Sequence, residues 1–376
     1  MLLRLTNTPR DYAWGSETLL AELEGRTPSG APEAEVWFGD HPGDPADVEG
    51  NGTLDGVTGG TLPYLLKLLA AAQPLSIQVH PTIEQAKAGW ARESGLPLDD
   101  PQRNYRDDNH KPELIVALSE RFESLSGLRP VADTLRLLDA LDDGAGVERL
   151  RSLLAADGDG LRDAIAWLLG GDAQAAVDEI IAAVKAAAAR EQAGEWGVAL
   201  HAVAGIAETC PGDPGVVVAL LMNHVVLRRG EGIFLRAGLL HAYLSGLGVE
   251  IMAASDNVLR GGLTPKRIDV PELLAILDTT PAEVPVLRPA AGTAVTEYPV
   301  PVPDFALRRV ELDGAPVALE VSGPAMVLAT AGRVAVASAS GKELSVPVGT
   351  AAFADAAESV LHLSGAGEAF VATPGR

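Results

Sequence analysis

The chain is poor in three things. Of its 376 residues only Cys210 is a cysteine, which rules out an intrachain disulfide and fits a reducing compartment. Basic residues are outnumbered, 29 Lys and Arg against 51 Asp and Glu, for a formal net charge of -22. Nucleic acid, which needs a basic face, is therefore excluded as a partner. Long apolar runs are also missing: Gly, Pro or charge interrupts each one before it could span a bilayer. The opening Met1-Leu2-Leu3-Arg4-Leu5-Thr6-Asn7-Thr8 has neither an apolar core nor a small-residue cleavage signature. These absences lead to the expectation of a cytoplasmic protein with no membrane contact.

What is present indicates a well-cored chain. Its apolar fraction is 47%, as in cored globular proteins, and its length suits two or three domains. The acidic total does not exclude a small anionic substrate, because surface charge is screened beyond roughly 8 Å at physiological salt. A few cations inside a pocket can outweigh a remote acidic exterior.

Three textures follow one another. Up to about Pro130, short apolar stretches such as Glu35–Gly39, Leu75–Val79 and Glu113–Leu118 alternate with Gly, Pro, Asp and Asn and read as strands. Leu62–Ala72 and Ile83–Glu93 read as short helices between them. From Val131 to Thr209, leucines recur at helical spacing and Ala175–Ala193 is a strong helix former. Beyond Pro211-Gly212-Asp213-Pro214-Gly215, strand texture returns at Val216–Leu221, Val225–Leu227, Ile233–Leu235 and Gly248–Ala253. The final ninety residues read as a second, smaller β unit. With His362 as its lone histidine, it is expected to hold no metal.

The chemistry concentrates in four segments. In Leu75-Ser76-Ile77-Gln78-Val79-His80-Pro81, Gln78 and His80 lie two residues apart and share a strand face. In Asn109-His110-Lys111-Pro112-Glu113, Lys111 and Glu113 do the same at the head of an apolar strand. Gly230–Tyr243 contains a strand, a turn at Ala237-Gly238 and then His241. Together Gln78, His80, Glu113 and His241 offer two imidazoles, one carboxylate and one amide oxygen. One anionic ligand leaves a divalent ion Lewis acidic. The donor set suits catalytic zinc, and by composition also iron, manganese or cobalt. Ser255–Arg267 gathers Arg260, Lys266 and Arg267 beside Gly261-Gly262 and Asp256, a composition suited to phosphate recognition.

An ordered set of motifs resembles the type I mannose-6-phosphate isomerases (phosphomannose isomerases). It comprises Tyr12-Ala13-Trp14-Gly15-Ser16, Leu62-Pro63-Tyr64-Leu65-Leu66-Lys67, Ser76–Pro81, Asn109–Glu113, Pro211–Gly215, His241-Ala242-Tyr243-Leu244 and Ser255–Lys266. Asp108 departs from the family's frequent proline. The match fades in the last ninety residues.

The resemblance implies a mainly β fold with a helical insertion. Residues 1–130 and 211–285 would form a catalytic cupin-type (jelly-roll) barrel, 131–210 a helical domain and 286–376 a smaller cupin-like β domain. It implies one zinc ion per chain on Gln78, His80, Glu113 and His241, and interconversion of mannose 6-phosphate and fructose 6-phosphate through an enediol. Arg260, Lys111, Asp256, His110 and Glu250 are the catalytic candidates, with Lys111, Asp256 or Glu250 moving the proton and His110 assisting ring opening. Lys67, Ser76, Tyr243, Lys266 and Trp14 are the substrate-binding candidates, and the chain is expected to act as a monomer.

Overall fold

Short Val-, Leu- and Ala-rich segments punctuated by Gly and Pro give a chain dominated by strands. A computed structural model describes residues 1–50, 52–190, 194–283, 285–289, 292–339 and 341–375. Strands β1 (Leu2–Thr6), β2 (Glu35–Phe38), β3 (Asp47–Val48), β4 (Tyr64–Ala71), β5 (Gln78–Val79), β6 (Glu113–Ala117) and β7 (Phe122–Leu128) come first. After a helical stretch follow β8 (Met222–Leu227), β9 (Gly232–Leu235), β10 (His241–Ala253), β11 (Leu259–Arg260) and β12 (Val286–Leu287). The last part holds β13 (Val295–Tyr298), β14 (Ala306–Asp313), β15 (Val317–Glu320), β16 (Ala325–Ser338), β17 (Glu343–Val346), β18 (Ala351–Ala354) and β19 (Val360–Thr373).

Among the described residues these strands form two sheets, and neither pairing path returns to its first strand. One sheet runs β13-β14-β19-β16-β18-β1-β3. The N-terminal strand thus pairs antiparallel with β18, Leu2 opposite Ala354, and the Met1 amine lies 2.6 Å from Asp355. The sequence grouped this strand with the first barrel. Nothing local in Leu2–Thr6 distinguishes the two possible partners.

The other sheet is organised by β10. Its first half pairs with β5 and β7, and its second with β4 and β6. The change of neighbours coincides with a register shift between Tyr243 and Ser245 and with Gly246 at φ 119°. A Cβ at Gly246 would lie 2.8 Å from the Phe122 ring, so only glycine passes. Because side chains alternate along a strand, a one-residue irregularity inverts which parity faces the interior. His241 and Tyr243 before the irregularity, and Glu250 after it, consequently line one cavity.

The helices Val131–Leu138, Ala145–Leu154, Gly160–Leu169, Gln174–Ala188 and Gly197–Thr209 bury Leu150, Ile165, Ile180 and Val203 in a core continuous with Ile77, Val79 and Leu240. They back the strands that carry Gln78 and His241. A second core joins the two sheets, with Leu66, Leu68, Val249 and Ile251 packed in one cluster with Leu307, Met326 and Phe370. Among the described residues, no helix is long and apolar enough to cross a membrane.

Two local expectations are corrected. Leu62–Ala72, expected as a helix, contains β4, all eight residues of which are buried. Burial on both faces removes the alternation that marks a strand. Val216–Leu221, expected as a strand, lies in the helix Gly215–Leu220, likewise wholly buried. There tertiary packing outweighs the strand preference of three successive valines. Ile83–Arg92 is a helix as expected, opened by a Thr82/Gln85 capping box.

Candidate active site and metal centre

The mouth of the β4–β10 sheet collects the residues the motifs nominated. His80, Glu113 and His241 are buried, and one potential ligand atom from each lies within 4.8 Å of the others. The Nε2 atoms of His80 and His241 each stand 3.3 Å from a different oxygen of Glu113. On the far side of each ring, Nδ1 faces a backbone carbonyl: Asn257 at 2.7 Å for His80 and Leu239 at 3.0 Å for His241. A carbonyl only accepts, so each Nδ1 carries a proton, and in the neutral ring Nε2 keeps a lone pair. Two lone pairs then confront a carboxylate. The buried His80 Nε2 finds no hydrogen-bond donor at all. Burial pushes the His80 pKa down to about 4, against the opposing charge of Glu113, so the ring is neutral at neutral pH. Such an array of acceptors fits a cation at its centre. The Gln78 amide lines the same cavity, on a residue paired in register with His241. Its nitrogen donates to Ser76 Oγ at 3.4 Å, which turns its oxygen the other way.

The cavity beside these groups measures about 50 Å³ and is also lined by Glu35, Lys67, Lys111, Tyr243 and Glu250. Lys111 Nζ is 2.9 Å from Glu113. Burial works to neutralise Glu113, but the charge of Lys111 holds its carboxyl well below the usual range. Lys67 sits between Glu250 at 3.1 Å and Glu35 at 3.5 Å, over the Trp37 ring at 5.0 Å. Burial alone would strip its proton, yet the carboxylates Glu35, Glu250 and Glu113 overcome this and raise its pKa. Glu250 is pushed up by burial, against the opposing charge of Lys67. The Tyr243 hydroxyl is buried without a hydrogen-bond partner. Trp14 stacks on Tyr12 with ring centroids 5.7 Å apart and packs at the edge of the Tyr243 cluster.

A wider cavity of about 560 Å³ is lined by Arg103, Arg106, Asp256, Arg260, Lys266 and Arg267, among others. Arg260 enters it on β11, which pairs with β5 so that Arg260 lies opposite Gln78. Asp256 receives His41 Nε2 at 3.1 Å. Gly43 donates its N–H to His41 Nδ1 at 3.0 Å, which leaves the proton of this ring on Nε2. Between the two cavities Asn257, fully buried, acts as a hub. Its Oδ1 accepts from the Arg106 amide at 2.7 Å, and its Nδ2 donates to the carbonyls of Asp107 at 2.9 Å and Asn109 at 2.8 Å. Its own carbonyl orients His80. His110 stands apart from both cavity linings: its Nε2 meets Asp304 at 2.9 Å, in the loop before β14.

Comparison with known proteins identifies a family. Residues 2–131 match the family described as phosphomannose isomerase type I, catalytic domain. Over 388 aligned residues the chain is 36% identical to mannose-6-phosphate isomerase of Escherichia coli (strain K12), covering 97% of each. This chain belongs to the type I phosphomannose isomerase family. The Homo sapiens mannose-6-phosphate isomerase is 31% identical over 357 residues, 81% of each chain. A crystal structure of mannose 6-phosphate isomerase in its zinc-bound holo form matches with a TM-score of 0.88 at 34% identity, covering 100% of both chains. The chain is accordingly an enzyme of the mannose-6-phosphate isomerase class.

Several residues of this phosphomannose isomerase site were not singled out from sequence. Glu35 and Trp37 lie two apart on β2, so strand alternation would have set carboxylate and indole on one face, where Trp37 Nε1 donates to Glu35 at 2.9 Å. His41 and Arg106 lie in loops, where no periodicity signals direction. Asn257 sits within the Ser255–Arg267 motif, but its hub role depends on contacts about 150 residues away.

Proposed function

We propose that this chain is a zinc-dependent aldose–ketose isomerase interconverting D-mannose 6-phosphate and D-fructose 6-phosphate through a cis-enediol. The observation that carries the metal assignment is the pair of Nε2 lone pairs turned on Glu113, fixed by the two carbonyls behind the rings. His80, Glu113, His241 and Gln78 would hold the ion. Bound there, zinc supplies Lewis acidity toward the sugar oxygens at C1 and C2.

The remaining work falls to side chains. Arg260 and Lys266, in the wider cavity, suit the phosphate. Lys67, expected to share that duty, is committed to Glu35 and Glu250 and instead supplies fixed positive charge beside the reacting carbons. Glu250 and Lys111 border the metal cavity, and we assign the C1–C2 proton exchange to them. A base there takes the C2 proton of the aldose and returns it to C1, while the hydroxyl proton passes between O2 and O1. Glu250, raised by burial, is the better matched carboxylate for such a shuttle. Asp256, in the wider cavity and bonded to His41, is our candidate to assist ring opening. His110, paired with Asp304 as Asp256 is with His41, is the second candidate for that step.

The fold reading that accompanies this function is a cupin-type scaffold. Residues 1–130 with 211–285 supply the site, 131–210 the helical backing and 286–376 a β unit without catalytic groups. The test is a coupled assay for fructose 6-phosphate from mannose 6-phosphate, with metal analysis before and after chelation. Turnover abolished by chelation and restored by zinc is expected. Full turnover in metal-free protein would overturn the reading.

A further inference from the structure

Five cations line the 560 Å³ cavity, and they divide into two kinds. Arg103 is structural: its guanidinium is donated to the carbonyls of Tyr105, Glu93 and Leu96 and stacks on Trp90. Arg267 is likewise spent on the Gln102 carbonyl and the Asp269 carboxylate. Arg106, Arg260 and Lys266 differ, since among the described residues none has an ion-pair or hydrogen-bond partner for its side chain. The acids that share their cavity are taken, Asp256 by His41 and Asp269 by Arg267 and Asn104. Three uncompensated positive charges around one cavity repel one another. Their crowding shows in Arg260 and Lys266: burial, reinforced by Arg106, lowers the first, and the charge of Arg260 lowers the second. In a chain of net charge -22, carboxylates to neutralise them are plentiful, yet the two in this cavity, Asp256 and Asp269, are paired with other groups.

We infer that Arg106 is a third cationic arm of the phosphate subsite, closing on the substrate's phosphate from the loop opposite Arg260 and Lys266. This inference deepens, and rests on, the sugar-phosphate reading above. A phosphate monoester dianion presents three terminal oxygens, which two guanidinium forks and one ammonium satisfy. Arg106 also has a fixed origin. Its amide is held by Asn257 Oδ1 at 2.7 Å, and Asn257 holds the metal ligand His80 through its carbonyl. The arm is therefore anchored at a set offset from the metal centre, as recognition of a substrate with its reacting carbon and its phosphate at opposite ends requires.

Because the Arg106 side chain makes no intramolecular bond, Arg106→Gln removes binding without removing packing. With zinc-loaded enzyme, KM for mannose 6-phosphate and the inhibition constant of inorganic phosphate are expected to rise together about tenfold or more. kcat should stay within about threefold, and Arg106→Lys should recover part of the loss. Arg260→Gln is measured in parallel. A normal phosphate inhibition constant in Arg106→Gln beside a raised one in Arg260→Gln would overturn the role of Arg106 and leave the isomerase reading intact. Unchanged values in both variants would overturn the phosphate subsite as a whole, and a fall in kcat alone would remove Arg106 from binding.

Discussion

Asn257→Ala tests how the two halves of the site are held together. The side chain makes four contacts of 3.0 Å or less: Arg106 N–H at 2.7 Å, and from its own Nδ2 to the Asp107 carbonyl at 2.9 Å, Asp107 Oδ1 at 3.0 Å and the Asn109 carbonyl at 2.8 Å. An amide has two N–H protons for three of these, so they amount to about three full bonds. At roughly 1 kcal/mol net each, with water reaching some of the partly exposed partners, the loss comes to about 2–4 kcal/mol. The loop carrying the carbonyl that orients His80 would loosen as well, and losing such a partner weakens metal affinity by roughly 10- to 100-fold. Asn257→Asp keeps the shape but turns an acceptor on the Asp107 carboxylate and the Asn109 carbonyl, so it should be at least as harmful. The assays are urea unfolding of metal-free protein and chelator competition for zinc on loaded protein. Destabilisation below about 0.5 kcal/mol with unaltered zinc affinity would refute the hub.

Two further predictions concern the scaffold. Gly246→Ala forces a side chain into the left-handed region at φ 119° and against Phe122 and Ser119. A loss of about 2–4 kcal/mol is expected, together with lowered zinc occupancy because His241 lies on the same strand; thermal unfolding and metal content check both. The second concerns acid. Hydrogen bonding from His224, 2.8 Å away, lowers the Glu123 pKa from 4.5 to about 2. A depressed carboxyl stabilises the fold above its unfolded value and stops doing so as pH falls from about 4.5 toward 2. His224→Gln should flatten that limb of the stability–pH curve, by about 1 kcal/mol once solvent screening of this half-buried pair is discounted. An unchanged acid limb would contradict the assignment.

The metal-binding candidates were legible because they sit at strand ends flagged by unusual composition. Gln78 and His80 before Pro81, and Glu113 at the head of an apolar run, are polar groups that strand alternation turns inward. His241 was legible from the turn before it. What stayed hidden depends on distant contacts. The parity inversion that brings Glu250 beside Tyr243 arises at Gly246, where Phe122 presses on the strand. Tyr64–Ala71 lost its strand signature through burial on both faces. The partnership of Leu2–Thr6 with β18 spans nearly the whole chain. His110 was nominated through its motif, but its pairing with Asp304, almost two hundred residues on, was not legible.

The central claim is a cation shared by two imidazoles and Glu113. X-ray absorption at the zinc edge of the loaded protein addresses it directly. Nitrogen and oxygen ligands at about 2.0–2.2 Å, with imidazole scattering that diminishes in His241→Ala, are predicted. A sulfur shell, or a spectrum unaltered by that substitution, would contradict the account.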